Sequence, residues 1–315
     1  MIDRNAKIFI CGHRGMVGSA CVRKFEREGY KNILKRTHAE LDLRNQQEVK
    51  AFFAAEKPDY VVLAGAKVGG ILANQTHCAE FLLENLEIQN NVIMQSFLNG
   101  VKKFCFLGSS CIYPCQAPQP IKEEYLLTGP LEPTNEGYAL AKISGYKLCY
   151  YLSRQYNWST VSLMPCNLYG TNDNYHPENS HVFPAMIRRF VTAADEHRAE
   201  EVLWGTGKPL REFLHVDDVA NAVYYFLQNH DDPTVVNIGY GSDITIRELA
   251  EKIASAAGFT GEIKWDASKP DGMYRKLMDS SRAHALGWRP EITREEGITR
   301  TVEEYVNGHS GLRNA

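Results

Sequence analysis

No C-x-x-C pair occurs in this 315-residue chain, no apolar run approaches membrane-spanning length, and neither sign of charge predominates. Each absence excludes a class of protein. Lys+Arg total 35 against 38 Asp+Glu, without a basic tract or an acidic tail, so no nucleic-acid partner is expected. Met1 to Lys7 leads into an apolar segment far shorter than the roughly 20 residues that cross a bilayer, and no signal-peptide pattern follows. No membrane contact is expected, and the chain reads as cytoplasmic. The eight cysteines have no ladder of spacings, and most lie in apolar context, as Cys11, Cys21, Cys105 and Cys149 do. They read as reduced thiols. Cys111 and Cys115 have no neighbouring His or Asp cluster to complete four ligands, so no metal is expected.

With 44% hydrophobic residues, the chain has enough apolar material for a sizeable core. Short apolar runs at 8–11, 32–34, 60–64, 104–107 and 160–164 read as buried strands. Amphipathic segments near 19–28, 46–55, 79–99 and 138–156 lie between them. That alternation predicts an α/β fold, a Rossmann-type doubly wound parallel sheet covered on both faces. Beyond residue 170 the alternation loosens. Residues 172–180 and 204–209 read as loops, and helix patterns recur at 217–227, 245–257 and 294–305. We expect a nucleotide-binding domain over 1–170, completed by a later segment at about 211–240. The rest of 171–315 is expected to form mainly a smaller α/β substrate lobe.

The first strand runs into GHRGMVG, Gly12 to Gly18. Glycines between a strand and a helix let backbone N–H groups and the helix N-terminus approach a pyrophosphate. At the end of the second strand an NAD site usually offers a carboxylate to the ribose; here stands KRTH, Lys35 to His38. With Arg14 in the glycine loop, Arg36 favours the 2′-phosphate of NADP, and Glu40 and Asp42 arrive late, where they suit the adenine end. Tyr138 and Lys142 are four residues apart on a predicted helix, so they share a face and the ammonium favours a phenolate. Such a tyrosine can protonate a carbonyl while hydride reaches carbon. Ser109, at the exit of a predicted parallel strand, can hold the same oxygen.

These motifs resemble the extended short-chain dehydrogenase/reductases that act on nucleotide sugars, and within them a branch of GDP-deoxysugar epimerase-reductases. The likeness spans nearly the whole chain. It rests on GHRGMVG from Gly12, AKVGGI from Ala66, GSSCIYP from Gly108, Tyr138 with Lys142, and NLYG from Asn167. It continues through Asp173 with Asn174, His176 with Pro177, NSHV from Asn179, Trp204 with Gly205, and REFLHVDD from Arg211. The resemblance implies NADPH as reductant, a GDP-linked 4-keto-6-deoxy sugar as substrate, and a homodimer paired through two long helices. Residues 79–99 and 138–156 do carry much apolar surface: Phe81, Leu82, Leu86, Ile93, Phe97, Leu148, Tyr151 and Leu152.

Carried over residue by residue, the resemblance implies cofactor contacts at Gly12, His13, Arg14, Gly15, Met16, Val17 and Gly18. It adds Arg36, His38, Asp42, Leu107, Gly108, Lys142, Pro165, Cys166, Asn167, Leu168 and His181. Substrate contacts are implied at Ser109, Ser110, Cys111, Tyr138, Asn167, Arg189, Trp204, Arg211 and Asp271. A C4 ketone acidifies the hydrogens on C3 and C5, and inverting those centres needs one group to remove a proton and another to return it. Cys111 and His181 match the branch's pair for this, the thiol as base and the imidazole as acid. Ser109, Tyr138 and Lys142 match its reductase residues.

Departures stand beside the likeness. Gly137 replaces a usual proline, Cys166 a usual threonine, Thr171 and Asn172 a frequent Pro-His, and His38 an arginine that often meets the NADP phosphate. A nucleotide-sugar 4,6-dehydratase usually carries an Asp-Glu pair where this chain has Ser110, Cys111 and Ile112, which argues against it. The alternatives left open are a branch member that inverts only C5 and a non-catalytic NADP-binding regulator.

Overall fold

The structure is a computed structural model that describes residues 2–177, 180–269 and 271–308, with the side chains of Ile71 and Leu72 excepted. Asn179, which opens the NSHV motif, and Pro270 lie outside the described residues.

The first two-thirds of the chain alternates strands and helices: β1 (Ile8–Cys11), α1 (Met16–Arg27), β2 (Ile33–Leu34), α2 (Gln46–Glu56), β3 (Tyr60–Leu63), α3 (Ile71–Thr76) and α4 (Cys78–Leu98). Then come β4 (Lys103–Leu107), α5 (Glu136–Tyr156), β5 (Thr160–Pro165), β6 (Asn167–Tyr169), α6 (Val182–Asp195), β7 (Glu200–Trp204), β8 (Leu210–Arg211) and β9 (Phe213–His215). The remainder is α7 (Val216–Asn229), β10 (Val235–Ile238), β11 (Ile244–Thr245), α8 (Ile246–Ala256), β12 (Glu262–Asp266), β13 (Arg275–Lys276), α9 (Ser281–Ala285) and α10 (Arg294–Val306).

Six strands form one parallel sheet in the order β10-β5-β4-β3-β1-β2. β1, β4, β5 and β10 are buried at every position, as strands covered on both faces must be. Helices α2, α4 and α5 pack in a row, and α1 packs on α7, giving the two covering layers. The chain leaves β1 and β3 in opposite directions, so a crevice opens between their C-terminal ends, where open α/β sheets bind ligands.

Caps set several helix ends. Asn45 accepts from the backbone of Gln47 and Glu48 to start α2, and Thr245 and Glu248 form a reciprocal capping box on α8. A second core, built on Phe183, Ile187, Phe190, Leu203, Leu249, Ile253 and Ile298, joins α6, α8 and α10. The main core takes in Met278, Ala283 and Trp288 as well as α7 and β10, so the last third of the chain contributes to both. Helix α6, β10 and the pair β7–β12 had no counterpart among the predicted elements.

Candidate active site

Strand β4 delivers the chemistry. Its last residue, Leu107, is followed by Gly108, where a Cβ would sit 2.1 Å from the Met164 sulfur, so a larger residue fits only if that side chain moves. Ser109 is extended and caps a 3-10 turn over Ser110–Ile112, its Oγ accepting from the Cys111 N–H at 3.2 Å. The turn swings Cys111 back beside Ser109. Asn135 Nδ2 donates to the Cys111 sulfur at 3.4 Å and Lys276 Nζ at 3.8 Å. Ser110, Cys111, Glu132, Asn135, Met273 and Lys276 line one pocket.

Helix α5 brings Tyr138 and Lys142 to the same place. Burial raises the Tyr138 phenol, the Cys111 thiol beside it adds to that, and a hydrogen bond with Ser109 opposes both. Lys142 is buried, donates to the Leu107 carbonyl at 2.9 Å and lies 5.7 Å from the centre of the Tyr138 ring. Burial lowers its pKa from 10.5 to about 8. Gly137 precedes the tyrosine because space is tight: a Cβ there would lie 2.7 Å from the Cys78 carbonyl oxygen. His181 is the N-cap residue of α6. Its side chain is exposed, and partial loss of hydration lowers its pKa.

The glycine loop fits a dinucleotide pyrophosphate. Gly12 has φ +74°, and a Cβ on it would sit 2.7 Å from Gly65 Cα; one on Gly18 would sit 2.1 Å from Gly12 O. Gly15 caps α1 without a side chain, so no side chain occupies the donors of Met16 and Val17 in the first turn. His13 Nδ1 is buried without a partner; burial lowers that imidazole, and Arg14 and Lys35 add to the effect. Arg14 is exposed at the loop.

The remaining cofactor candidates divide. Arg36 is turned away onto Glu56 at 2.6 Å and over the Phe52 ring at 5.3 Å. His38 is exposed, with Nε2 3.2 Å from Arg44. Arg44 grips Asp42, holding that carboxyl down at about 2, and reaches on to Glu84, which also takes the Lys67 ammonium of the KVGG segment. Pro165 ends β5, Cys166 is buried with its thiol pushed well up by desolvation, and Leu168 is half-buried on β6. Asn167 donates to the Glu212 carbonyl at 2.9 Å.

At the far end, Trp204 is 70% exposed, with the Lys269 ammonium 5.6 Å over its ring. Arg211 is half-buried; desolvation lowers its pKa and Asp271 opposes that. Asp271 accepts from the Thr206 N–H at 2.9 Å and its hydroxyl at 2.6 Å. Those three gather around the turn between β7 and β8. Arg189 is committed elsewhere, to Glu201 at 2.6 Å and to the Val202 carbonyl.

Residues 8–239 match the model of the NAD dependent epimerase/dehydratase family. The chain belongs to that family. A relative from Arabidopsis thaliana, "Putative GDP-L-fucose synthase 2", is 56% identical over 97% of this chain and 93% of its own. "GDP-L-fucose synthase" of Escherichia coli (strain K12) is 48% identical over 98% of both chains. Among solved structures, a GDP-mannoheptose C4 reductase from Campylobacter jejuni with NADP bound matches with TM-score 0.89 at 39% identity, covering 97% of this chain and 100% of that one. Asn135 and Lys276 had no local signal in the sequence. Asn135 precedes Tyr138 by one turn, and Lys276 arrives on β13, far along the chain. Among the described residues, no group of three His, Cys, Asp or Glu side chains is arranged to hold a metal ion, and no helix is long and apolar enough to cross a membrane. All eight cysteines are free.

Proposed function

We propose that this chain converts GDP-4-keto-6-deoxy-D-mannose to GDP-L-fucose at one site, by epimerisation at C3 and C5 and then NADPH-dependent reduction of the C4 ketone. The observation that carries the reading is the convergence of Ser109, Cys111 and Tyr138, with Lys142 beside the phenol. Ser109 and Tyr138 hydrogen-bond the ketone oxygen and stabilise the negative charge it gains when an adjacent carbon loses a proton. Cys111 takes that proton, and His181 returns one on the opposite face. The negative charge on the enolate favours the protonated imidazole that partial loss of hydration alone disfavours. NADPH, when bound, supplies the hydride. Tyr138 then protonates the C4 oxygen, and the Lys142 ammonium stabilises the phenolate left behind.

The 2′-phosphate is assigned to Arg14 first, since Arg36 has Glu56 as partner. Trp204, Arg211 and Asp271 are assigned to the GDP end, where the arginine fork suits diphosphate oxygens. Arg189 joins them only if it leaves Glu201. We assign a homodimer to the α4–α5 face, where Leu83, Leu98, Leu140, Tyr151 and Tyr156 are exposed.

A panel of GDP-linked 4-keto sugars tested for NADPH oxidation checks the reading. Turnover of the 6-deoxymannose derivative to a product co-migrating with GDP-L-fucose is expected. Preference for a sugar lacking the C3 hydroxyl would instead identify a GDP-colitose synthase. No oxidation with any sugar would favour a binding protein.

A further inference from the structure

Cys111 has two donors on its sulfur, and one of them is a cation carried by β13. Lys276 Nζ stands 3.8 Å from Sγ and Asn135 Nδ2 stands 3.4 Å from it. A lysine that only braces a fold is ordinarily paired with a carboxylate or a main-chain carbonyl. Among the described residues, the Lys276 ammonium donates to the sulfur and is paired with no carboxylate.

The backbone that presents this ammonium is fastened on both sides. Lys276 pairs with Arg211 across the parallel β13–β8 ladder, and its carbonyl accepts from the Glu212 N–H at 3.3 Å. On the other side, the Leu277 N–H donates to Gln119 Oε1 at 2.8 Å, and the Leu277 carbonyl accepts from the Ile121 N–H at 2.8 Å. Gln119 and Ile121 belong to the loop that follows Cys111. Strand β13 therefore spans from the arginine assigned to the nucleotide to the cysteine assigned to proton transfer.

We propose that Lys276 is a positioning residue for Cys111: its ammonium, with the Asn135 amide, holds the sulfur aimed into the substrate pocket. This rests on the function proposed above. In the step it supports, the S–H bond forms as a C–H bond next to the ketone breaks, and the electron pair moves onto the C4 oxygen. Lys276 keeps its own protons throughout. An opposite charge near a thiolate favours it, and the thiolate is the form that takes a proton or an alkyl group.

The test needs no substrate for its first arm. Full-length protein is treated with iodoacetamide at one pH, and modification of Cys111 is followed by peptide mass. The exposed Cys78 serves as reactivity control and the buried Cys21 and Cys149 as folding controls. Lys276→Met is expected to slow Cys111 alkylation about tenfold with Cys78 unchanged, and Lys276→Arg to stay within about threefold of wild type. In the second arm, deuterium entry at C3 and C5 of the GDP-linked keto sugar falls with the alkylation rate, while its KM moves less than about threefold. Wild-type alkylation in Lys276→Met overturns the proposal. So does lost exchange with unchanged alkylation, which would assign Lys276 to the substrate itself. If Cys21 or Cys149 becomes reactive in Lys276→Met, Asn135→Ala decides: slower alkylation of Cys111 supports the two-donor arrangement, and an unchanged rate overturns it. Slower alkylation without turnover of the keto sugar would refute the sugar assignment alone.

Discussion

The Lys142 ammonium lies 5.7 Å from the centre of the Tyr138 ring and gives a hydrogen bond to the Leu107 carbonyl at 2.9 Å, inside the protein. Burial brings its pKa to about 8, against about 10.4 for an exposed lysine. Between those values the unfolded chain holds a proton that the folded chain has released, so stability rises with pH across that window. Below about 8 the full cost of burying the cation is present. Lys142→Met is therefore expected to melt several degrees above wild type at pH 7, with the gap narrowing toward pH 10, while reduction is lost. A lower melting point at pH 7 in scanning calorimetry would show that the bond to Leu107 outweighs the desolvation.

Half-reactions should separate by residue. With the keto sugar and NADP+ in deuterated water, Cys111→Ala is expected to nearly abolish deuterium at C3 and C5. Tyr138→Phe should keep some exchange, slowed by roughly 10²–10³ through loss of one donor to the enolate oxygen, and lose reduction when NADPH is given. His181→Gln should admit isotope without net inversion. Proton NMR of recovered sugar reads all three, and wild-type uptake by Cys111→Ala would return that residue to a structural thiol.

Cofactor choice should rest on Arg14. A charge-assisted bond contributes roughly 1.5–3 kcal/mol, so Arg14→Ala should raise the KM for NADPH about tenfold or more and leave NADH unchanged. Arg36→Ala should cost less than about threefold, because its guanidinium is held by Glu56. The reverse order would show that Arg36 leaves Glu56 when the dinucleotide binds.

Gly137→Pro is expected to destabilise this chain, although proline is common there in the branch it resembles. The new ring would meet the Cys78 carbonyl, which lies 2.7 Å from a Cβ at that position. A melting temperature equal to or above wild type would show that the start of α4 yields without cost.

Sedimentation at micromolar concentration should give a particle about twice the 35.6 kDa chain. Leu98→Glu, placed on the exposed α4 surface, should shift it toward monomer. A wild-type particle of single-chain mass would remove the dimer.

Signals that lie within one element were readable from the chain, and those made by meeting elements were not. The all-buried strands such as Phe104 to Leu107, the loop from Gly12 to Gly18, and the Tyr138–Lys142 spacing each carry their pattern locally. The same apolar helices that suggested a dimer turn Phe81, Ile93 and Leu152 into their own core; Tyr151 alone of the residues named from the sequence is exposed, beside Leu83, Leu98, Leu140 and Tyr156. Periodicity of 3.6 says which positions share an apolar stripe, not whether the same chain or a second copy covers it. Arg36 and Arg189 looked free because a guanidinium gives no hint of its partner; Glu56 and Glu201 answer that only in three dimensions. Lys276 was invisible for the same reason, since the ladder that carries it to Cys111 is a pairing between distant segments.

Ser109 caps the Cys111 amide with the hydroxyl assigned to the substrate ketone. One oxygen thus sets the angle of the base and binds the group that makes carbon acidic, so no variant at this position can report on reduction alone. Kinetic defects at Ser109 and Cys111 should be strongly sub-additive: the double alanine variant is expected to be little slower in isotope exchange than Cys111→Ala, and a product of the two single defects would show that the residues act independently.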